Sequence, residues 1–308
     1  MRAGRGLALD PSDSVWVVVG MTTTPTRIDF IEPAVRSVLN QSQSATLVIN
    51  VPTVYNSRRS HWNGRSVTRA PRVANELRTT VCLTLCDNVV RARARTTYKL
   101  RNCSKVTPPA WLVAMDAEAR SAVPFKERCV LINSVPHDWG PATKLVGTVG
   151  ALRAEPLAAH RDAQRVRQRE VIVVAADDDH EWEAYALATL VTQGYGASKG
   201  GASLVGHKRS SAVWSYHTYQ YPHASRGGPL GTAAKLCIAQ AGDMLAAPAP
   251  LLEAYLEAWG RELLPGGALP SCFFVDDMFF GAFLKVAAKA DVYLHPFKHW
   301  LYRESRFL

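Results

Sequence analysis

The stretch VIVVAADDDHEW, residues 171–182, passes from four consecutive β-branched residues through two alanines into three consecutive carboxylates. So short an apolar run predicts a strand buried on both faces, the kind that lies inside a parallel sheet. Its end delivers Asp177, Asp178 and Asp179 to a sheet rim, where each charge repels the next and none is stable unpaired in an apolar core. A divalent cation among them would answer that repulsion, and hard carboxylate oxygens suit magnesium or manganese. The same acids also read as caps on the next helix, where they would satisfy orphan amides and meet its dipole. Three in succession after a wholly apolar strand is more than capping needs.

A parallel sheet needs crossover helices, and the N-terminal region supplies one. VWVVV (15–19) predicts a strand, MTTTPTR a turn, and IEPAVRSVLNQ a helix, with Ile31, Val35, Val38 and Leu39 at helical spacing and Pro33 in the first turn. TLVINVP (46–52) is a second buried strand halted by proline, so the opening reads as β-α-β. Further on come a strand in CVLINS (129–134) and a loop into a helix in DWGPATKLVGTVGALRAE (138–155). RDAQRVRQRE leads from there into the acid-tipped strand. EAYALATLVTQGY and APLLEAYLEAWGREL have helical spacing, while 212–216 and DVYLHP are strand-like. The fold class expected is α/β, a mixed, mainly parallel sheet flanked by helices.

With 308 residues, 47% of them hydrophobic, and neither repeat nor linker, the chain is expected to form a single domain over 1–308 with a flexible 1–13. Residues 57–125 form a basic insertion, rich in arginine between Arg58 and Arg101, with TTVCLTLC (79–86) its clear strand candidate. From Ser57 to about Arg101 it reads as a solvated, irregular excursion or as an anion site, and regular structure is expected to resume with CVLINS. The net charge of +10 favours anionic partners without choosing among nucleic acid, acidic membrane surfaces and phosphorylated substrates. The 6 cysteines include no CxxC pair, which argues against a disulfide scaffold or zinc ribbon and for a reducing compartment. No run reaches the roughly 18 apolar residues of a membrane span, and the first residues lack an apolar h-region. A soluble, cytoplasmic protein is expected, with peripheral membrane contact left open.

Taken in order, these blocks resemble a known family. An apolar strand closing in the D-x-D triplet Asp177-Asp178-Asp179 looks like the signature of GT-A fold glycosyltransferases, family-2-like enzymes that transfer sugar from a nucleotide donor. VVVGMTTTPTRIDFIEPAVRSVLNQSQSATLVINVP is similar to their opening β-α-β, and DWGPATKLVGTVGAL to the donor-side helix ahead of the D-x-D strand. The similarity covers 15–52, 138–195 and 270–297, roughly half the chain.

The resemblance implies a Mn²⁺ or Mg²⁺ ion, a nucleotide-sugar donor, a glycan or other hydroxyl acceptor, and no nucleic acid partner. It places Asp179 as the direct metal ligand, with Asp177 beside the ribose or on a metal-bound water and Asp178 in the same donor-facing turn. Thr22, Thr23 and Arg27 fall in the loop facing the nucleotide. Asp138 and Lys144 fall where such enzymes hold the nucleotide and its phosphates. Asp138 also reads as a helix cap ahead of Gly140-Pro141, and Lys144 as a solvated helix lysine. His295 lies where some relatives supply a late histidine to the metal, or else is packed and hydrogen-bonded beside Pro296.

The second acidic pair, Asp276-Asp277, sits among Phe273, Phe274, Phe279, Phe280 and Phe283. Desolvation there raises a carboxyl pKa, which suits a general base. By the resemblance Asp277 is the base of an inverting transfer and Asp276 orients it or touches the acceptor; the pair also reads as an N-cap on MFFGAFLKVAAK. Trp214, Tyr216, Tyr219 and Tyr221 are candidates to stack on a sugar, and equally core rings. GPLGTAAKLCIAQAG departs from the family's glycine-rich acceptor strand. Two other classes compete with a glycosyltransferase: a metal-dependent nucleotidyl or phosphoryl transferase, since paired carboxylates with cations do that work too, and a non-catalytic basic module gripping glycan or nucleic acid through its arginines.

Overall fold

The computed structural model describes residues 14–24, 27–53, 107–191, 212–215, 234–236, 244–259, 280, 283, 288, 291–294 and 302–304. Its first half runs β1 (Val15–Thr22), α1 (Glu32–Leu39), β2 (Ala45–Pro52), α2 (Ala110–Ser121), β3 (Cys129–Val135), α3 (Thr143–Ala151), α4 (Leu157–Val166) and β4 (Glu170–Ala176). Then follow β5 (His180–Trp182), α5 (Ala186–Leu190), β6 (Ala212–Ser215), β7 (Ala234–Leu236), β8 (Met244–Pro248), α6 (Ala249–Trp259), β9 (Asp291–Leu294) and β10 (Tyr302–Glu304).

Among the described residues the main sheet has eight strands in the order β3-β2-β1-β4-β8-β6-β9-β7, and β10 pairs with β5 in a separate ribbon. β3, β2, β1 and β4 are mutually parallel, β8 is antiparallel to both β4 and β6, β9 runs parallel to β6, and β7 is antiparallel to β9. This is a mixed α/β architecture, with β3, β2, β1 and β4 forming its longest parallel run.

Every residue of β1 and β2 is buried. Side chains alternate across a strand, so helices on both faces must cover it, and the near-continuous apolar runs follow. Val15, Val17, Val19 and Met21 meet Val35 and Val38 of α1 and Leu187 and Leu190 of α5 on one face. Trp16 and Val18 meet Leu145 and Val149 of α3 and Leu252 and Tyr255 of α6 on the other.

Regular structure resumes earlier than the sequence reading of 57–125 allows. α2 occupies 110–121, within the basic insertion and ahead of the CVLINS strand where regular structure is expected to resume, and its Leu112 and Ala119 join the two cores. The helix escapes a periodicity reading because few of its residues face inward. Its polar side chains serve the sheet margin: the backbone N–H of Ile132 donates to Asp116 Oδ1 at 2.8 Å, and Arg120 Nη2 donates to the Ile132 carbonyl at 2.8 Å. α2 thereby satisfies backbone groups along β3 that would otherwise offer a template for another strand. RDAQRVRQRE, read as a connector, instead contains most of α4. Among the described residues no helix is long and apolar enough to cross a membrane.

Candidate functional site

The chain steps from β1 to β2 to β3 and then returns to lay β4 on the other side of β1. In open α/β sheets such a reversal opens a crevice beyond the carboxyl ends of the two flanking strands. Met21 pairs with Ala176 at the last rung of β1 and β4. Beyond that rung come Thr22, the last residue of β1, and Thr23 from one strand and Asp177 to Asp179 from the other. Topology thus brings the acid triplet beside the loop that carries Arg27.

α3 forms the floor of this crevice and is buried over nearly its whole length. Its approach to the sheet is unusually close: a Cβ on Gly20 would lie 2.1 Å from the Lys144 carbonyl oxygen, and one on Gly147 would lie 2.4 Å from Asn50 Oδ1. Buried Asn50 ties the layers together, its Nδ2 donating to Thr148 Oγ1 at 2.9 Å and to the Met21 carbonyl at 3.2 Å. Asn133 Nδ2 donates to Asn50 Oδ1 and to the Gly147 carbonyl, both at 2.8 Å. A satisfied buried network of this kind fixes a helix more sharply than apolar contact alone.

The network sets Lys144, which is only 2% exposed. The solvated-lysine reading is therefore wrong: Lys144 Nζ donates to Asp177 Oδ1 at 2.7 Å. From the β1 side, Arg27 Nη1 donates to Asp178 Oδ1 at 2.7 Å and Nη2 donates to Asp179 Oδ2. His180 Nδ1 lies 2.9 Å from Asp179 Oδ1. The repulsion that called for a dication is thus met substantially by the chain's own guanidinium and ammonium.

The three acids differ in consequence. Burial pushes the Asp177 carboxyl up to about 6, against the pull of Lys144. Burial also opposes ionisation of Asp179, but the hydrogen bond from His180 and the charge of Arg27 outweigh it and hold that carboxyl well below the usual range. Burial disfavours the Arg27 cation, and Asp178 and Asp179 overcome this and raise its pKa. Asp178 is the most enclosed of the three, its side chain 4% exposed.

Of the residues expected at the site, Arg27, Lys144, Asp177, Asp178 and Asp179 come together as one ion-paired group. Thr22 and Thr23 border it but are nearly sealed, and the Thr22 hydroxyl donates to the Asn50 carbonyl at 3.1 Å. Asp138 is buried, and its Oδ1 accepts the Gly140 N–H at 2.9 Å, the cap-like contact that starts the turn into α3. Asp276, Asp277 and His295 lie outside the described residues, as do Tyr216, Tyr219 and Tyr221; of Trp214 only the backbone in β6 is described.

His180 is the site residue that the sequence reading passed over. One donor atom from each of Asp177, Asp179 and His180 lies within 4.8 Å of the others, and this set of two carboxylates and an imidazole suits Mn²⁺. Its signal in the sequence is its place directly after the triplet; His295, which the resemblance offers to the metal, lies outside the described residues.

Fold and site together define an α/β protein with a carboxylate rim at the reversal point of its sheet. No protein-family model matches the chain, and no curated protein matches it.

Proposed function

We propose that this chain is a metal-dependent glycosyltransferase of GT-A type, moving a sugar from a nucleotide-sugar donor to an acceptor hydroxyl with inversion. The observation that carries the reading is the convergence of Asp177, Asp179 and His180 in the crevice between β1 and β4, with Arg27 and Lys144 beside them. Carboxylates alone would make a cation site; carboxylates interleaved with two strong cations also suit a ligand bearing negative charge, such as a diphosphate.

Asp179, Asp177 and His180 would hold a divalent ion, which supplies charge neutralisation to a departing nucleoside diphosphate. Lys144 presents its ammonium from the floor, where its burial and short bond to Asp177 fix its position. Arg27 flanks the same space with a planar fork matched to phosphate or carboxylate oxygens. Asp277 accepts the proton of the attacking acceptor hydroxyl, and Asp276 orients it.

The test is hydrolysis and transfer of a panel of uridine and guanosine diphosphate sugars with Mn²⁺, run beside nucleoside triphosphates as the competing substrate class. Activity on a nucleotide sugar should vanish with chelator and fall at least about a hundredfold in Asp179→Asn. Chelator-indifferent turnover, or full turnover by the variant, would remove the mechanism. Turnover of triphosphates alone would favour phosphoryl transfer.

A further inference from the structure

The two basic groups of the rim are held very differently. The Lys144 side chain, on the first turn of α3, is 3% exposed and bonded to Asp177, whereas the Arg27 side chain is 47% exposed. Arg27 reaches across the crevice to Asp178 and Asp179, 151 and 152 residues further along the chain, and straddles both. Both Asp179 oxygens are engaged: Oδ2 accepts from Arg27 and Oδ1 faces His180 Nδ1. A divalent cation on Asp179 would stand beside the like-charged guanidinium of Arg27, and the half-exposed arginine is the neighbour with room to move.

We propose that Arg27 is a displaceable counter-ion, giving up Asp179 to a divalent cation and turning its freed guanidinium to the diphosphate of the incoming nucleotide. The inference rests on the reading of the rim as a cation site. In the ion-paired state three carboxylates face one ammonium and one guanidinium, an excess of one negative charge. A dication added to that group leaves it with excess positive charge, which a diphosphate then offsets. Cation and nucleotide therefore bind with positive coupling, each raising the affinity for the other by the same factor. Arg27 carries that coupling because it opposes the cation when docked and supports the anion when released.

The experiment measures Mn²⁺ binding to the full chain without nucleotide, from the electron paramagnetic resonance signal of free Mn²⁺, for wild type, Asp179→Asn, Arg27→Lys and Arg27→Ala. Circular dichroism confirms folding of each. Removing a unit positive charge a few ångströms from the cation should tighten Mn²⁺ binding roughly tenfold in Arg27→Ala, with Arg27→Lys close to wild type. At saturating Mn²⁺, uridine and guanosine diphosphate, titrated calorimetrically, should bind Arg27→Ala roughly tenfold more weakly. If Asp179→Asn binds Mn²⁺ as wild type does, or neither wild type nor Arg27→Ala binds it, the cation-site reading itself fails. If Asp179→Asn loses Mn²⁺ while Arg27→Ala binds it no more tightly than wild type, the cation-site reading stands and the counter-ion role is overturned.

Discussion

Replacing Gly20 with alanine probes the close approach that seats α3 against β1. The added Cβ would lie 2.1 Å from the Lys144 carbonyl oxygen and 2.3 Å from Thr148 Oγ1. Neither atom can retreat cheaply. The carbonyl belongs to the helix backbone, and the Thr148 hydroxyl both donates to that carbonyl at 2.7 Å and accepts from Asn50 at 2.9 Å. Overpacking of this kind costs about 1–3 kcal/mol, and each buried hydrogen bond stretched as α3 lifts adds about 1 kcal/mol. The expected loss is about 2–4 kcal/mol, read as a fall of about 1 M in the urea midpoint for a chain of this size. Gly150→Ala in the same helix is the control: its Cβ would meet nothing within 4 Å, so the gain in helix propensity should raise stability by about 0.5–1 kcal/mol. A Gly20→Ala midpoint within about 0.2 M of wild type would refute the claim that helix and strand are locked in contact at this point.

Two predictions concern pH. Asp177 is pushed up from 3.8 to about 6, so the folded state holds its proton more tightly than the unfolded chain; its contribution to stability is complete below about pH 4 and lost as pH rises through 6, and Asp177→Asn should flatten that part of a chemical-denaturation profile of the metal-free protein. At the opposite end of the sheet, His160 accepts a hydrogen bond from Gln164 at 2.7 Å, stands edge-on to Trp16, and is lowered from 6.5 chiefly by burial. The folded state therefore favours the neutral ring, giving stability that is present above pH 6.5 and lost as pH falls below it; His160→Phe should reduce the slope between about pH 7 and 5, and an unchanged slope would contradict the assignment.

Much of the parallel half of this fold was legible in local pattern. VWVVV, TLVINVP and VIVV read as strands because residues buried on both faces leave an unmistakable apolar run, CVLINS reads as one from its shorter apolar start, and the helical spacing of Val35 and Val38 announces α1. Other elements left no such mark. α2 was hidden because much of its work is done by Asp116 and Arg120 on the margin of β3. β8 was missed because MLAAP is short and its place beside β4 depends on antiparallel pairing with Ile172 to Ala176.

The order of residues alone determined that three carboxylates would end a buried strand, since that follows from neighbours in the chain. Which charges would face them was decided only when β4 came to lie against β1 and α3 pressed onto Gly20, bringing Arg27 and Lys144 to Asp177, Asp178 and Asp179. Ion pairing depends on distance in space, and the partners here stand 33 to 152 residues apart along the backbone, a separation that no local spacing rule can bridge.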